Sequence, residues 1–225
     1  MSEQKVLRFH VSDKVFHGVN AIAWFALLIT GGIVYFAPSL GVSKQAGEEL
    51  MLWHLWLGGL FTVNLVGFLL FAPERFAVMM KNLMEWDANT IGWFRNFGGY
   101  PRKFFKIPFG PVETPPQGRY NGGQKMSYLI FIASMFVFAI TGWLLWLFAP
   151  AIGKTAFVWM FYIHVWGSFL ISAMVIGAHL PLAMLSTEHL KGMWRFGPGT
   201  ISLHAAEHHS PLWLERDVIK VGDKK

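Results

Sequence analysis

The chain has 225 residues, of which 54% are hydrophobic, only 14% are charged and none is cysteine. Soluble domains carry about 25% charged residues, so this composition indicates a protein embedded in a lipid bilayer. The absence of cysteine excludes a disulfide framework, covalent c-type haem attachment and iron–sulfur clusters held only by cysteine. The formal charge of +6 is spread over several short segments, so nucleic acid is not expected as a partner.

Four apolar segments are each long enough to cross a bilayer, which takes about 20 residues. They cover about residues 19–38, 50–71, 127–148 and 156–182. The first exceeds the apolar core of a signal peptide, which is about 7–15 residues, and is therefore expected to remain as a membrane helix. The expected fold class is an all-α membrane protein, a single domain over residues 1–225 built as a four-transmembrane-helix bundle.

Lysine and arginine are unevenly distributed among the segments that these helices separate. Of the 19 Lys and Arg residues, only Lys44 and Lys154 lie in the two short loops. All the others lie in the N-terminal segment, the middle loop (73–125) and the tail (183–225). Because cytoplasmic loops carry an excess of Lys and Arg, we expect both termini and the middle loop to be cytoplasmic.

In the middle loop, apolar residues recur at nearly helical spacing between charged residues. They are Phe76, Met80, Leu83, Ile91 and Phe94. This pattern predicts an amphipathic helix lying in the headgroup region of the bilayer. The following residues, 98–116, are rich in proline, glycine and aromatic side chains and are expected to be irregular. The loop is interpreted as a membrane-surface loop, as a docking surface for a partner, or as both.

Four of the nine histidines lie in or beside the predicted helices, at two depths. His54 and His164 lie near the outer ends of helices 2 and 4. His17 lies just before helix 1, and His179 lies near the inner end of helix 4. Imidazole is a common axial ligand of haem iron, and polar side chains within a bilayer are functional candidates by default. Pairing by depth predicts two b haems, an outer one held by His54 and His164 and an inner one held by His17 and His179.

The spacing on helix 4 agrees with this interpretation. His164 and His179 are separated by about 22 Å of helix rise and by a net rotation of only about 60°. Both imidazoles should therefore project from nearly the same side of the helix. Gly58 on helix 2, with Gly31 and Gly142 on helices 1 and 3, would let a flat macrocycle approach. A membrane histidine can also serve as a simple helix contact, but two depth-matched pairs favour haem.

Several motifs occur in order along the chain. They are Arg8-x4-Asp13-x3-His17, His54-x3-Gly58, Tyr120-Asn121-Gly122-Gly123-Gln124-Lys125, Thr141-Gly142, Ile163-His164 and His208-His209-Ser210-Pro211-Leu212-Trp213. Together they resemble the cytochrome b (gamma) subunit of membrane-bound respiratory formate dehydrogenases. The segment from Tyr120 to Lys125 is the most specific of these motifs. The membrane histidines alone would not separate this family from other di-haem, quinone-linked cytochromes.

The resemblance implies the same two haem pairs and a site for menaquinone or ubiquinone beside the inner haem. That site would include Asn121, Gly123 and Gln124, with His179 nearby. The implied partners are an iron–sulfur (beta) subunit and a molybdenum- or tungsten-containing catalytic (alpha) subunit, in the bacterial inner membrane with its lipid. The chain itself would anchor the complex and carry electrons to the quinone without acting on formate.

Two alternative functions remain. The chain could be the cytochrome b subunit of a hydrogenase or of a sulfur-compound reductase, and electrons could also flow from quinol to the partner. An alternative of a different class is a haem-free membrane anchor or transporter. Transporters usually show repeats and broken helices at the midplane, and the predicted helices have neither paired charges nor a proline-broken centre there.

Overall fold

The computed structural model describes residues 4–219, which divide into two compact units. The four-helix unit comprises Val11–Pro73 and Phe131–Leu190. The loop-and-tail unit comprises the other described residues, 4–10, 74–130 and 191–219.

The described residues are mainly helical. In chain order the helices are α1 (Val11–Tyr35), α2 (Ala37–Leu40), α3 (Lys44–Phe71), α4 (Pro73–Met84), α5 (Ala88–Trp93), α6 (Tyr100–Phe105), α7 (Gly122–Leu147), α8 (Lys154–Met174), α9 (Leu180–Leu185), α10 (Thr187–Trp194), α11 (Leu203–His209) and α12 (Pro211–Trp213). A 3-10 turn covers Phe97–Gly99, and π-helical turns cover Val175–His179 and Leu214–Ile219. Two short strands, β1 (Lys5–Phe9) and β2 (Gly199–Ser202), pair antiparallel.

Four helices are long and apolar enough to cross a membrane, which confirms the predicted all-α fold class with four spans. They are α1, α3, α7 and the continuous span Lys154–Leu185, which joins α8, a π-helical turn and α9. Each of these helices begins before its predicted span, most of all α1, which begins at Val11 whereas the first span was predicted from about residue 19. Hydropathy excluded the more polar residues 11–18, although Asp13 in the first turn interacts favourably with the helix dipole. His17 consequently lies inside the first helix and not before it.

The four-helix unit is held together by a small apolar core and by hydrogen bonds between helices. Ala23, Phe61, Leu65 and Met135 form the buried cluster. The interhelical bonds run from Trp24 Nε1 to Ser172 Oγ (3.0 Å), from Asn64 Nδ2 to the Phe16 carbonyl (3.0 Å) and from Trp143 Nε1 to Thr62 Oγ1 (2.9 Å). Such packing and polar contacts associate helices in lipid, where the hydrophobic effect between them is lost.

Large apolar side chains cover the outside of the same unit. Ile22, Val63 and Leu170 are 67%, 69% and 64% exposed. In water this surface would be a strong aggregation hazard, whereas acyl chains solvate it well. The inside-out distribution of apolar residues therefore supports a location within the bilayer.

The predicted amphipathic helix of the middle loop is present as two helices, α4 and α5. Leu83 at the end of α4 is fully buried, and Asp87 caps α5 by accepting a hydrogen bond from the Thr90 N–H at 2.7 Å. Residues 98–116 were expected to be irregular, but the helix α6 lies within them. Asn96 organises the remaining coil by donating from Nδ2 to the carbonyls of Pro111 and Glu113, both at 3.1 Å.

The strand pair of the loop-and-tail unit was not predicted. β1 and β2 pair with Lys5 opposite Ser202 and with an irregularity between Leu7 and Phe9. A buried cluster accompanies the strands and consists of Ile201, Ala206, Trp213 and Leu214. The N-terminal segment and the tail are thereby joined into one folded element.

Candidate functional site

The four predicted membrane histidines lie in the four-helix unit as two close pairs. His54 on α3 and His164 on α8 have ring centroids 6.3 Å apart. His17 on α1 and His179 in the π-helical turn are also separated by 6.3 Å. The structure therefore groups these residues as the depth argument predicted.

This separation matches two imidazoles on opposite sides of one metal ion. A metal–imidazole nitrogen bond is about 2.0–2.1 Å and the nitrogen lies about 1.1 Å from the ring centre, so the two centroids should be about 6.3 Å apart. Both pairs have this value although they are built from different helices. The donor set, two neutral nitrogen ligands, is one that haem iron accepts. The residues present thus fit one b haem at each pair.

Helix α1 holds the His54 ring at two adjacent residues. Thr30 Oγ1 lies 3.0 Å from His54 Nδ1. A Cβ atom on Gly31 would lie 2.8 Å from His54 Cε1, which is closer than real Cβ contacts come. Gly31 therefore makes room for the imidazole itself, whereas the sequence had suggested that it makes room for the macrocycle. The space beside Gly58 is open.

Helix α7 holds the His164 ring in the same way. Thr141 Oγ1 lies 3.0 Å from His164 Nδ1, and a Cβ atom on Gly142 would lie 3.0 Å from His164 Cε1. The Phe138 ring contacts the imidazole edge-to-face, with centroids 6.1 Å apart. Sequence analysis did not identify either threonine as a partner of a histidine. The available signal was the tripeptide Ile-Thr-Gly, which occurs at residues 29–31 and again at residues 140–142.

The inner pair depends on a local irregularity of the fourth span. The Leu180 N–H donates to the Val175 carbonyl, five residues back, which widens the helix to a π-helical turn. Pro181 explains the widening, because its ring has no N–H and clashes with the carbonyl four residues earlier. His179 is the last residue of this turn, so its direction differs from that expected for a regular α-helix. Such π-helical turns are frequent at functional sites.

The residues predicted for quinone binding fall into both units. Asn121 and Gln124 form a reciprocal capping box at the start of α7: Asn121 Oδ1 accepts from the Gln124 N–H (2.9 Å), and Gln124 Oε1 accepts from the Asn121 N–H (3.1 Å). Gly123 packs against the Trp93 indole, to which a Cβ atom would come within 3.0 Å. These three residues belong to the loop-and-tail unit, whereas His179 belongs to the four-helix unit. The capping box uses the Asn121 oxygen and leaves the Nδ2 amino group to other partners.

A buried cation lies in the same segment. Lys125, which is 4% exposed, donates from Nζ to the Glu85 carbonyl and to Thr90 Oγ1, the latter at 2.8 Å. These bonds tie the first turn of α7 to Glu85, just after α4, and to Thr90 in α5.

A second buried cation joins the N-terminal strand to the tail. Arg8 is 3% exposed, and its guanidinium lies 4.6 Å from the centre of the Trp213 ring. Arg119 donates from Nη2 to the Arg8 carbonyl at 2.6 Å, and Arg8 donates to the Arg119 carbonyl in return. Burial and the charge of Arg119 lower the pKa of Arg8 to about 10. Arg8, which opens the first sequence motif, thus lies in one cluster with Trp213, which closes the last motif.

Comparison with known proteins defines the class of this protein. A model of the prokaryotic cytochrome b561 family matches residues 8–196. The match covers most of the chain, so the chain belongs to this family of membrane cytochromes, and membership implies that it binds haem b.

Curated relatives point to one group within this class. The cytochrome b556(Fdn) subunit of the nitrate-inducible formate dehydrogenase of Escherichia coli K12 is 27% identical over 229 residues, which cover 100% of this chain and 97% of the relative. The corresponding subunits of Escherichia coli O157:H7 and Shigella flexneri match to the same extent. The resemblance inferred from the sequence motifs is confirmed.

Proposed function

We propose that this chain is the membrane-anchoring, electron-carrying subunit of a respiratory formate dehydrogenase complex, that it holds two b haems and that it delivers electrons to a quinone. The observation that carries the proposal is the pair of equal 6.3 Å separations, between His54 and His164 and between His17 and His179. A haem-free anchor or transporter would have no reason to pair histidines from different helices at two separate places.

The histidines would supply nitrogen ligands to the haem iron, and the helices around them supply a low-dielectric environment. Haem b, when bound, supplies a one-electron carrier whose potential depends on its ligands and surroundings. His164 and His179 lie on one continuous span, about 22 Å apart along its axis if the helix were regular. One span therefore contributes a ligand to each of two sites and fixes their spacing.

The proposed partners are an iron–sulfur subunit and a molybdenum- or tungsten-containing catalytic subunit. This assignment is supported by the full-length similarity to formate dehydrogenase cytochrome subunits. It also agrees with the absence of cysteine from the chain, since the iron–sulfur clusters must then lie elsewhere. We place both termini and the middle loop on the cytoplasmic side, in the inner membrane, from the distribution of Lys and Arg.

Purification of the native complex through a tag on this chain tests the assignment. The proposal expects co-purification of an iron–sulfur protein and a molybdenum or tungsten enzyme. It also expects that added formate reduces the b haems, as seen in the absorption spectrum. Co-purification of a hydrogenase or a sulfur-compound reductase, with no response to formate, would assign the chain to another complex of the same class.

The quinone site is proposed at the capping turn of α7, at Asn121, Gly123 and Gln124. An amide N–H donates to a carbonyl, which is the group that a quinone offers. In the capping box Asn121 uses its oxygen, and its Nδ2 group is therefore suited to a quinone oxygen. The participation of His179 rests on the family resemblance and stays a prediction.

Two substitutions at Asn121 separate capping from quinone binding. Asn121→Asp keeps a good N-cap oxygen but removes the amide donor, whereas Asn121→Ala removes both and should cost about 1 kcal/mol of stability. The proposal expects slow quinone reduction and weak binding of quinone-analogue inhibitors in both variants, with both haems retained. Normal turnover and inhibitor affinity in Asn121→Asp would show that Asn121 is only a cap.

A further inference from the structure

We propose that Thr30 and Thr141 are positioning residues that hold His54 and His164 in the Nδ1-protonated tautomer and thereby set the potential of the outer haem. The inference rests on the proposed function, since it presupposes a haem between these two histidines. Thr141 belongs to one of the sequence motifs and Thr30 to none, and neither was assigned this role from the sequence.

The hydroxyl proton of Thr30 is already used. Thr30 Oγ1 donates to the Ala26 carbonyl at 2.8 Å, one turn back in α1. A hydroxyl carries a single proton. While that proton points to the Ala26 carbonyl, the contact of 3.0 Å to His54 Nδ1 is a hydrogen bond only with the imidazole as donor, and this arrangement assigns the His54 proton to Nδ1.

The same proton balance holds independently at the second histidine. Thr141 Oγ1 donates to the Val137 carbonyl at 2.7 Å and lies 3.0 Å from His164 Nδ1. While the Thr141 proton points to that carbonyl, His164 Nδ1 is the donor to Thr141 Oγ1. Two threonines in two different helices thus impose the same tautomer on the two ligands of one site.

The tautomer decides which ring nitrogen can bind a metal ion. A neutral imidazole with its proton on Nδ1 has its lone pair on Nε2, which is then available as a ligand. The opposite tautomer would present an N–H to the iron. Partners that fix the second nitrogen of a ligating histidine also raise its basicity and set its orientation. The two rings stand at 79° to each other, and each is fixed by its own threonine.

Hydrogen bonding of a threonine to its own helix does not by itself indicate this role, because buried threonines often bond to the carbonyl four residues back. Thr62 in α3 is an example. Its hydroxyl donates to the Gly58 carbonyl at 2.8 Å and accepts from Trp143 Nε1 at 2.9 Å. Thr62 therefore has the same chemistry with a tryptophan in place of a histidine, and it provides a matched control.

The direction of the effect follows from electron donation. An acceptor at Nδ1 makes the imidazole a stronger donor to the metal, which favours the oxidised state. Replacement of Thr30 or Thr141 by valine keeps the shape and removes the acceptor. The potential of the outer haem should therefore rise in either variant, by about tenfold in the reduction equilibrium, which is 59 mV for one electron.

The experiment compares Thr30→Val, Thr141→Val and Thr62→Val in the intact complex by redox titration and by EPR of the oxidised haems. We expect the two histidine-linked variants to raise the potential of one haem and to alter its EPR g-anisotropy, which depends on the angle between the imidazole planes. Thr30→Ser and Thr141→Ser, which keep the hydroxyl, should restore both. Loss of the outer haem in a valine variant, reversed by serine, supports the inference equally.

Unchanged potentials and EPR signals in Thr30→Val and Thr141→Val, with both haems bound, would overturn the inference. An equal shift in Thr62→Val would also overturn it, since general loosening would then explain the change. These results leave the proposed function intact. The proposed function fails instead if His54→Ala and His164→Ala remove no haem that the unmodified complex contains.

Discussion

The single methyl group introduced by Gly31→Ala should disrupt the outer haem site. Its Cβ atom would lie 2.8 Å from His54 Cε1, whereas carbon atoms pack best at about 3.5–4.0 Å. The imidazole must then retreat by about 0.7 Å or more if α1 stays in place. Metal–ligand distances hold to within about 0.2 Å, so a shift of this size should weaken or abolish haem binding at His54.

The adjacent glycine provides the control. A Cβ atom on Gly32 would lie 3.8 Å from Phe169 Cε1, which is an ordinary contact, and alanine is the better helix former at both positions by about 1 kcal/mol. Gly32→Ala should therefore keep two haems per chain, and Gly31→Ala should lose one, as counted from the pyridine haemochrome spectrum of the purified complex. Two haems and an unchanged redox titration in Gly31→Ala would refute the reasoning.

Three other predictions concern the inner haem, the cap of α5 and the membrane topology. Pro181→Ala should let the fourth span continue as a regular α-helix, which would turn His179 away from His17. The inner haem should then be lost while the spectrum of the outer haem persists. A normal inner haem would show that the π-helical turn has another cause. Burial raises the pKa of Asp87, but hydrogen bonds from Thr90 and the charge of Lys125 together outweigh burial, and the net pKa is lowered. The stabilisation is therefore complete above the ordinary aspartate pKa of about 3.9 and is lost as the pH falls through the lower folded-state value. Thermal melting in detergent should show Asp87→Ala destabilised by about 0.5–2 kcal/mol at neutral pH and Asp87→Asn close to normal but lacking this loss in acid; equal acid sensitivity in Asp87→Asn would contradict it. Reporter fusions after Lys154 should read external and fusions at the C-terminus cytoplasmic, and the reverse result would invert the topology.

The spans and the grouping of the histidines could be predicted because both depend on short-range regularities. A bilayer requires about 20 apolar residues, so hydropathy located all four spans. The depth of His54, His164 and His179 followed directly from their positions in those spans. The start of α1 was placed furthest from its observed position, since residues 11–18 are helical without forming an apolar segment.

Features that depend on the packing of particular side chains and strands, and not on depth in the bilayer, could not be predicted. The pairing of β1 with β2 joins residues 5–9 to residues 199–202, and no short-range sequence pattern relates the two strands. The threonine contacts to His54 and His164 link residues 24 and 23 positions apart on different helices. They depend on how the helices pack, although the repeated Ile-Thr-Gly was visible in the sequence.

Haem quantification in the purified complex, with each ligand replaced in turn, tests the two-pair assignment most directly. We predict two non-covalent b haems per chain. His54→Ala and His164→Ala should each remove the same spectral component, and His17→Ala and His179→Ala should each remove the other. One haem or none in a fully loaded preparation, or loss of the same component in His54→Ala and His17→Ala, would contradict it.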